Sequence, residues 1–214
     1  MTIHPWLSEY PIHDNSKYLI LGTHPPMPYY GKLQFYYGNM SEFWRFLDLV
    51  YPGNKLYGNG CPKIEEIIKF LDNTKISITD LVYKTKSEKF SKDKDMGRLN
   101  PEDLNPYLSE WLKESKIEII YFTSFGGKNS AKNLFKKWYK NEFKNLCKIS
   151  NEHVNYIEIF DRKIKLIDLF SPSPTARISS SRIKEYMEWK MRSEVNNDYD
   201  AFRVYWYKKH LPKK

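Results

Sequence analysis

A chain of 214 residues is long enough for one domain with a full hydrophobic core and too short for two comfortable ones. Its 35 Lys and Arg against 26 Asp and Glu leave a formal charge of +9, which favours a polyanionic partner over an acidic protein or a neutral lipid. No window has the length and apolarity of a bilayer span and no secretion signal opens the chain, so the expectation is a soluble, cytoplasmic protein, here taken as a monomer.

Tyr18-Leu19-Ile20-Leu21 is a continuous apolar run ended by Gly22, the pattern of a strand covered on both faces. Ser41 opens a helix whose apolar positions Phe43, Phe46, Leu47 and Val50 recur at helical spacing until Pro52-Gly53. Pro62 begins another through Ile64, Ile67, Ile68 and Leu71. Residues 75–82 predict a second strand, and the charged stretch 84–94 a mobile loop. A helix is predicted over 100–115, a third strand over 117–123, and a helix over 130–139 after the turn Ser124-Phe125-Gly126-Gly127. Segments 154–160 and 164–169 flank Asp161-Arg162-Lys163 as a hairpin feeding a fourth strand, and helices follow over 179–194 and 198–210. Strands alternating with helices predict an α/β fold. The expected form is a three-layer α/β/α sandwich on a central, mainly parallel four-stranded sheet. It is a single domain over 1–214 with the helices of 179–210 packed on it, and its ligand cleft lies outside the strands' C-terminal ends.

The polar loops fall at those ends. Thr23-His24-Pro25-Pro26 follows the first strand, Thr79-Asp80 ends the second, Thr123-Ser124 the third, and Ser171-Pro172-Ser173-Pro174-Thr175 the fourth. Cys61 and Cys147 form no disulfide framework, and the five histidines have no partner at metal-ligand spacing, so neither metal nor cofactor is expected. The 17 Tyr, 12 Phe and 6 Trp supply flat faces for stacking bases, although most must be core.

Taken in order, four segments resemble the uracil-DNA glycosylase superfamily, with most similarity to its hypoxanthine-DNA glycosylase and mismatch-specific branches. Leu21-Gly22-Thr23-His24-Pro25-Pro26 resembles the first motif, in which a strand ends in Gly-x-x-Pro. Phe35-Tyr36-Tyr37-Gly38-Asn39-Met40-Ser41-Glu42-Phe43-Trp44 is similar to a Tyr-Tyr…Phe-Trp signature with an Asn between the aromatic pairs. The segment Ile119-Ile120-Tyr121-Phe122-Thr123-Ser124-Phe125-Gly126, with Ala131, Leu134 and Phe135, resembles the family's strand–turn–helix unit. Ser171-Pro172-Ser173-Pro174-Thr175-Ala176 resembles the Pro-Ser-Pro loop that enters the minor groove. His24 stands where better-known members carry a carboxylate or amide, Ser171 where they carry a His, and the Tyr-Tyr…Phe-Trp segment is one residue shorter.

The resemblance implies hydrolysis of the N-glycosidic bond of a deaminated base, uracil or hypoxanthine, in DNA, as the first step of base excision repair. Such a reaction needs a flipped nucleotide, a positioned water and stabilisation of the departing base. His24, Asn39 and Ser171 are the catalytic candidates, and Thr23, Tyr36, Tyr37, Asp80 and Ser124 the base-binding ones. Pro172, Ser173, Pro174, Thr175, Arg177 and Arg182 are the DNA-binding candidates. Each has a plainer alternative. His24 can be satisfied by a backbone carbonyl, Asn39 can be a turn residue, Asp80 can cap the segment after its strand, and Arg177 and Arg182 can face solvent. Phe43 and Trp44 read as core, and Lys128, Lys132, Lys136, Lys137 and Lys140 as a solvated face. The competing functions are a DNA-binding member of the fold with altered or lost catalysis and a nucleoside or nucleotide hydrolase.

Overall fold

A computed structural model describes residues 1–31, 33–38, 42–54, 56–57, 63–143, 146, 152–174, 183–192 and 198–213. Among them the elements run β1 (Thr2–Ile3), β2 (Tyr18–Gly22), α1 (Phe43–Val50), α2 (Ile64–Thr74), β3 (Ile76–Asp80), β4 (Lys84–Thr85), α3 (Leu108–Glu114), β5 (Ile119–Phe122), α4 (Ala131–Trp138), β6 (Val154–Ile159), β7 (Arg162–Asp168), α5 (Lys184–Arg192) and α6 (Tyr199–His210).

The main sheet has the order β3-β2-β5-β7-β6. β3, β2, β5 and β7 are mutually parallel, and β6 is antiparallel to β7 at the edge. The sheet therefore has five strands where four were expected. The added one is the first arm of the hairpin: Phe160 and Asp161, both at positive φ (46° and 61°), make a two-residue turn of the kind that matches the twist of paired strands and lets β6 zip along β7.

Each central strand is apolar on both sides because both sides are covered. Ile20, Ile76, Ile78, Tyr121 and Ile167 pack with the buried residues of α1, α2, α5 and α6. Leu19, Leu21, Ile120, Phe122, Ile164 and Leu166 pack with those of α3 and α4. This strict alternation along β2, β5 and β7 makes three layers. Ser130 caps α4 by accepting from Asn133 N–H, and Asp198 caps α6 by accepting from Ala201 N–H at 2.6 Å.

Two predicted segments differ. The helix of 100–115 is broken: Pro101–Asp103 forms a single 3-10 turn and α3 begins only at Leu108, because Pro106 lacks an N–H and disfavours helix in the residue before it. The stretch 84–94 is not a loop throughout, and it is anchored. Its first residues pair with β1, Phe90 exchanges backbone hydrogen bonds with Met27 at 2.8 and 2.9 Å, and Phe90 is buried with Met96 just beyond. The charged side chains of Lys92, Lys94 and Asp95 point outward and hide this apolar anchor from a composition-based reading. Among the described residues no helix is long and apolar enough to cross a membrane, and no group of His, Cys, Asp and Glu could hold a metal ion.

Candidate functional site

The C-terminal ends of β2, β3 and β5 lie side by side, with Gly22 in register with Asp80. Gly22 has to be glycine here. A Cβ at this position would run into Asp80 Oδ1 and stand 2.8 Å from the Tyr37 hydroxyl, so the missing side chain leaves the space that both groups border. Tyr37 itself sits at φ 58°, a conformation an aromatic residue rarely adopts. Its ring stacks on Phe43 with centroids 4.2 Å apart, and its hydroxyl pairs with Thr123 Oγ1 at 2.8 Å. Burial, followed by the Asp80 charge, pushes the Tyr37 phenol well above its ordinary pKa.

Asp80 is only 6% exposed and is held by a residue far away in sequence. His4 Nδ1 accepts from Trp6 N–H at 3.2 Å, which leaves the proton on Nε2, and Nε2 donates to Asp80 Oδ2 at 2.9 Å. The β1–β4 pairing delivers His4, and its backbone N–H continues that pairing to the Tyr83 carbonyl at 2.7 Å. Asn105 Nδ2 donates to the Asp80 carbonyl at 3.0 Å, fixing the strand end from the other side.

His24 lies 5.0 Å from His4, ring centre to ring centre, and edge-on to Phe90. Its Nδ1–H donates to the Pro25 carbonyl at 2.8 Å, which settles the plainer alternative for that nitrogen. Nε2 is then the bare acceptor. It is fully buried and has no hydrogen-bond partner among the described residues. Burial, followed by the neighbouring His4 ring, lowers the His24 pKa to about 4, so the imidazole is neutral near pH 7. Tyr36 is buried as well, against His4 and Trp6, and burial followed by the Asp80 charge raises its phenol.

Thr23 and Ser124 reach the same end of the sheet, but both hydroxyls are engaged. Thr23 Oγ1 donates to Asp93 Oδ1 at 2.6 Å, and Ser124 Oγ accepts from Ala131 N–H at 2.9 Å. Asp93 is thereby drawn into the site. Burial raises its carboxyl, and hydrogen bonds from Thr23 and Ser124 oppose that rise. Asn129 Nδ2 ties the Asp93 carbonyl at 3.2 Å and the Gly97 carbonyl at 2.9 Å.

The loop after β7 is held differently, by α6. Trp206 Nε1 donates to the Asp168 carbonyl at 3.0 Å and the Tyr207 hydroxyl to the Phe170 carbonyl at 3.0 Å. Arg203 Nη1 donates to the carbonyls of Ser171 (2.5 Å) and Ser173 (3.0 Å), and Glu42 N–H to that of Pro172 at 3.0 Å. Ser171 Oγ accepts from Ser173 N–H at 3.2 Å, so this hydroxyl shapes the turn. Pro172 is buried, Ser173 half-buried and Pro174 exposed.

The structure thus brings together His24, Asp80, Tyr36, Tyr37, Thr23 and Ser124, with the Ser171–Ser173 turn next to them through Glu42 and Phe43. Asn39, Thr175, Arg177 and Arg182 lie outside the described residues. Phe35 is a core residue, edge-on to Tyr10 and Tyr36. Sequence reasoning misses His4 and Asp93, whose places depend on pairing between distant segments and carry no local signal. It also misplaces Lys132, which is buried and donates to Asp168 Oδ2 at 2.7 Å and to the Glu152 carbonyl at 3.1 Å. The chain was compared with protein-family models and with curated proteins, and neither comparison gave a match.

Proposed function

We propose that the chain is a DNA glycosylase of the uracil-DNA glycosylase type that hydrolyses the bond between a deaminated base and its deoxyribose. The observation that carries this reading is the buried, bare Nε2 of His24 beside Asp80 and Tyr37 at the ends of three adjacent parallel strands. Breaking an N-glycosidic bond passes through an oxocarbenium-like sugar, so the attacking water has to be aimed rather than strongly activated. A neutral imidazole with its Nδ1 proton fixed on Pro25 offers one acceptor in one direction, which suits that task. Water adds to the anomeric carbon, the electron pair of the C–N bond leaves with the base, and the proton lost by the water is received at Nε2. Asp80, with Oδ2 occupied by His4, accepts an N–H of the flipped base, and the Ser171–Pro174 loop contacts the flanking phosphate.

The test is base release from oligonucleotides carrying uracil, hypoxanthine or xanthine, single- and double-stranded, read as abasic sites. Release that His24→Ala abolishes supports the reading, and no release from any of them overturns it. A second reading, DNA binding without turnover, draws on the closure of the site, where His24 and Asp80 are 6% exposed and Tyr36 only 1%. Tight binding to damaged DNA, unchanged in His24→Ala and without turnover, selects it.

A further inference from the structure

Five of the six carbonyls from Asp168 to Ser173 face donors of the protein interior. The carbonyls of Asp168, Phe170, Ser171, Pro172 and Ser173 all turn into the protein, and each meets a donor: Trp206, Tyr207, Arg203, Glu42 and Arg203 again. Three of these donor side chains come from one helix, α6. Arg203 is fully buried, with its guanidinium over the rings of Phe46 and Tyr199, and Asp200 balances its charge. Asp200 also accepts from Arg45 Nη2 at 3.1 Å, and Arg45 pairs with Glu42, whose own N–H holds Pro172. The network therefore joins Glu42 to α6 through Arg45 and Asp200.

A carbonyl turned inward places the N–H of the same trans peptide on the opposite side. With Phe170 O bound by Tyr207, Ser171 N–H points away from α6. Ser171 Oγ is occupied as an acceptor by Ser173 N–H, so its own proton is left to donate. Pro172 and Pro174 have no N–H. The outer side of the turn is thus cleared of these carbonyl acceptors and presents donors, the polarity that receives an anionic oxygen and repels no phosphate.

We infer that Arg203 is a positioning residue: through its two carbonyl bonds it holds the 171–173 turn with its carbonyl-free side outward, ready to receive a DNA backbone phosphate. This rests on the proposed role of the loop in contacting DNA. Arg203 is buried beneath the turn and meets no ligand, so its effect is felt in binding and not in bond cleavage. Lysine cannot replace it, because one ammonium cannot match a planar fork that reaches two carbonyls and a carboxylate together.

The test uses the full chain, a fluorescent duplex carrying an abasic site, and base release where the wild type shows it. Arg203→Lys should weaken binding by about tenfold and raise KM more than it lowers kcat, since a slightly misplaced contact loses affinity steeply. The slope of log K against log salt should fall by about 0.9, the loss of one phosphate contact. Tyr207→Phe, which deletes only the hydroxyl on Phe170, keeps the assay decisive if Arg203→Lys does not fold, and should weaken binding about threefold. Tyr205→Ala, exposed on the same helix, should bind as the wild type does. Wild-type affinity and salt slope in Arg203→Lys or, failing its folding, in Tyr207→Phe overturn the inference. A wild type that binds DNA but releases no base overturns the glycosylase reading alone, and one that binds no DNA overturns both.

Discussion

The two strand-end loops of this molecule treat their polar groups in opposite ways. After β7 every carbonyl named above has a donor, and a whole helix supplies most of them. After β2 a buried imidazole nitrogen has no partner among the described residues, burial holds that histidine's pKa well below its ordinary value, and a tyrosine takes a positive-φ backbone to put its hydroxyl on Thr123 near Asp80. Carbonyls held on fixed donors give a surface of fixed polarity, even though the buried Arg203 Nε has no partner among the described residues. Unsatisfied buried groups cost stability and persist where the surrounding structure forces them, which is the pattern of a reacting centre. Under the proposed function, the difference separates a region that holds DNA from one that acts on it.

Closing the space at Gly22 should damage turnover and stability together. Gly22→Ala drives a methyl into Asp80 and Tyr37, so base release should fall by at least about 100-fold and stability by about 1–3 kcal/mol, measured by single-turnover kinetics and chemical denaturation. His24→Ala should lose about 100- to 10,000-fold in the bond-breaking step with DNA affinity retained, the range expected for removing a group that handles the water's proton. An equal loss of affinity would make His24 a binding residue and blur the contrast between the loops.

Lys132→Met tests the holding side. It leaves the Asp168 carboxylate, 1% exposed, with His153 as its side-chain partner among the described residues, and should lower stability by about 3–5 kcal/mol in a denaturant titration. A milder version is His4→Ala, which strips Asp80 of its donor for about 1–3 kcal/mol; His4→Gln, able to donate from its amide, should recover part of it.

Acid should reveal His24 directly. Its pKa is about 4 in the fold against 6.5 ordinarily, so between these values the unfolded chain binds more protons than the folded one. Stability therefore rises with pH from about 4 to 6.5, by up to about 3 kcal/mol from this group, and its contribution is flat above. His210, also lowered to about 4 by burial and then Lys209, works in the same direction. His153 works in the other. Burial opposes its charge, but Asp168 and Glu185 together raise its pKa, so the stability it adds is present in acid and lost as pH rises through that raised value. His24→Gln should flatten the slope between pH 4 and 6.5 without removing it. The smallest effect should be Ser171→Ala, about 0.5–1.5 kcal/mol for one turn hydrogen bond, read by thermal unfolding.

Much of the frame was legible. The apolar runs of β2 and β5 read as buried strands because both faces are covered, and the alternation of strands and helices announced the layers. His24 and Asp80 were legible as strand-end polar groups, and Tyr37 as part of the aromatic segment that carries the resemblance. What could not be read was anything decided by pairing at a distance. His4 reaches Asp80 only because β1 pairs with β4, and Asp93 enters because Phe90 anchors its segment under a coat of charge. The lysines near and along α4 look alike in sequence, and only the packing of α4 on β7 singles out Lys132 for Asp168. Likewise Arg203, Trp206 and Tyr207 read as ordinary helical residues, since nothing local tells which carbonyls a helix will meet.

The measurement that tests the account most directly is single-turnover base release from uracil- and hypoxanthine-containing oligonucleotides by the wild type and His24→Ala side by side. The account predicts abasic sites with the wild type and at least about a 100-fold slower appearance with the variant. Equal rates for the two proteins, or no abasic sites from either base with the wild type, would contradict it.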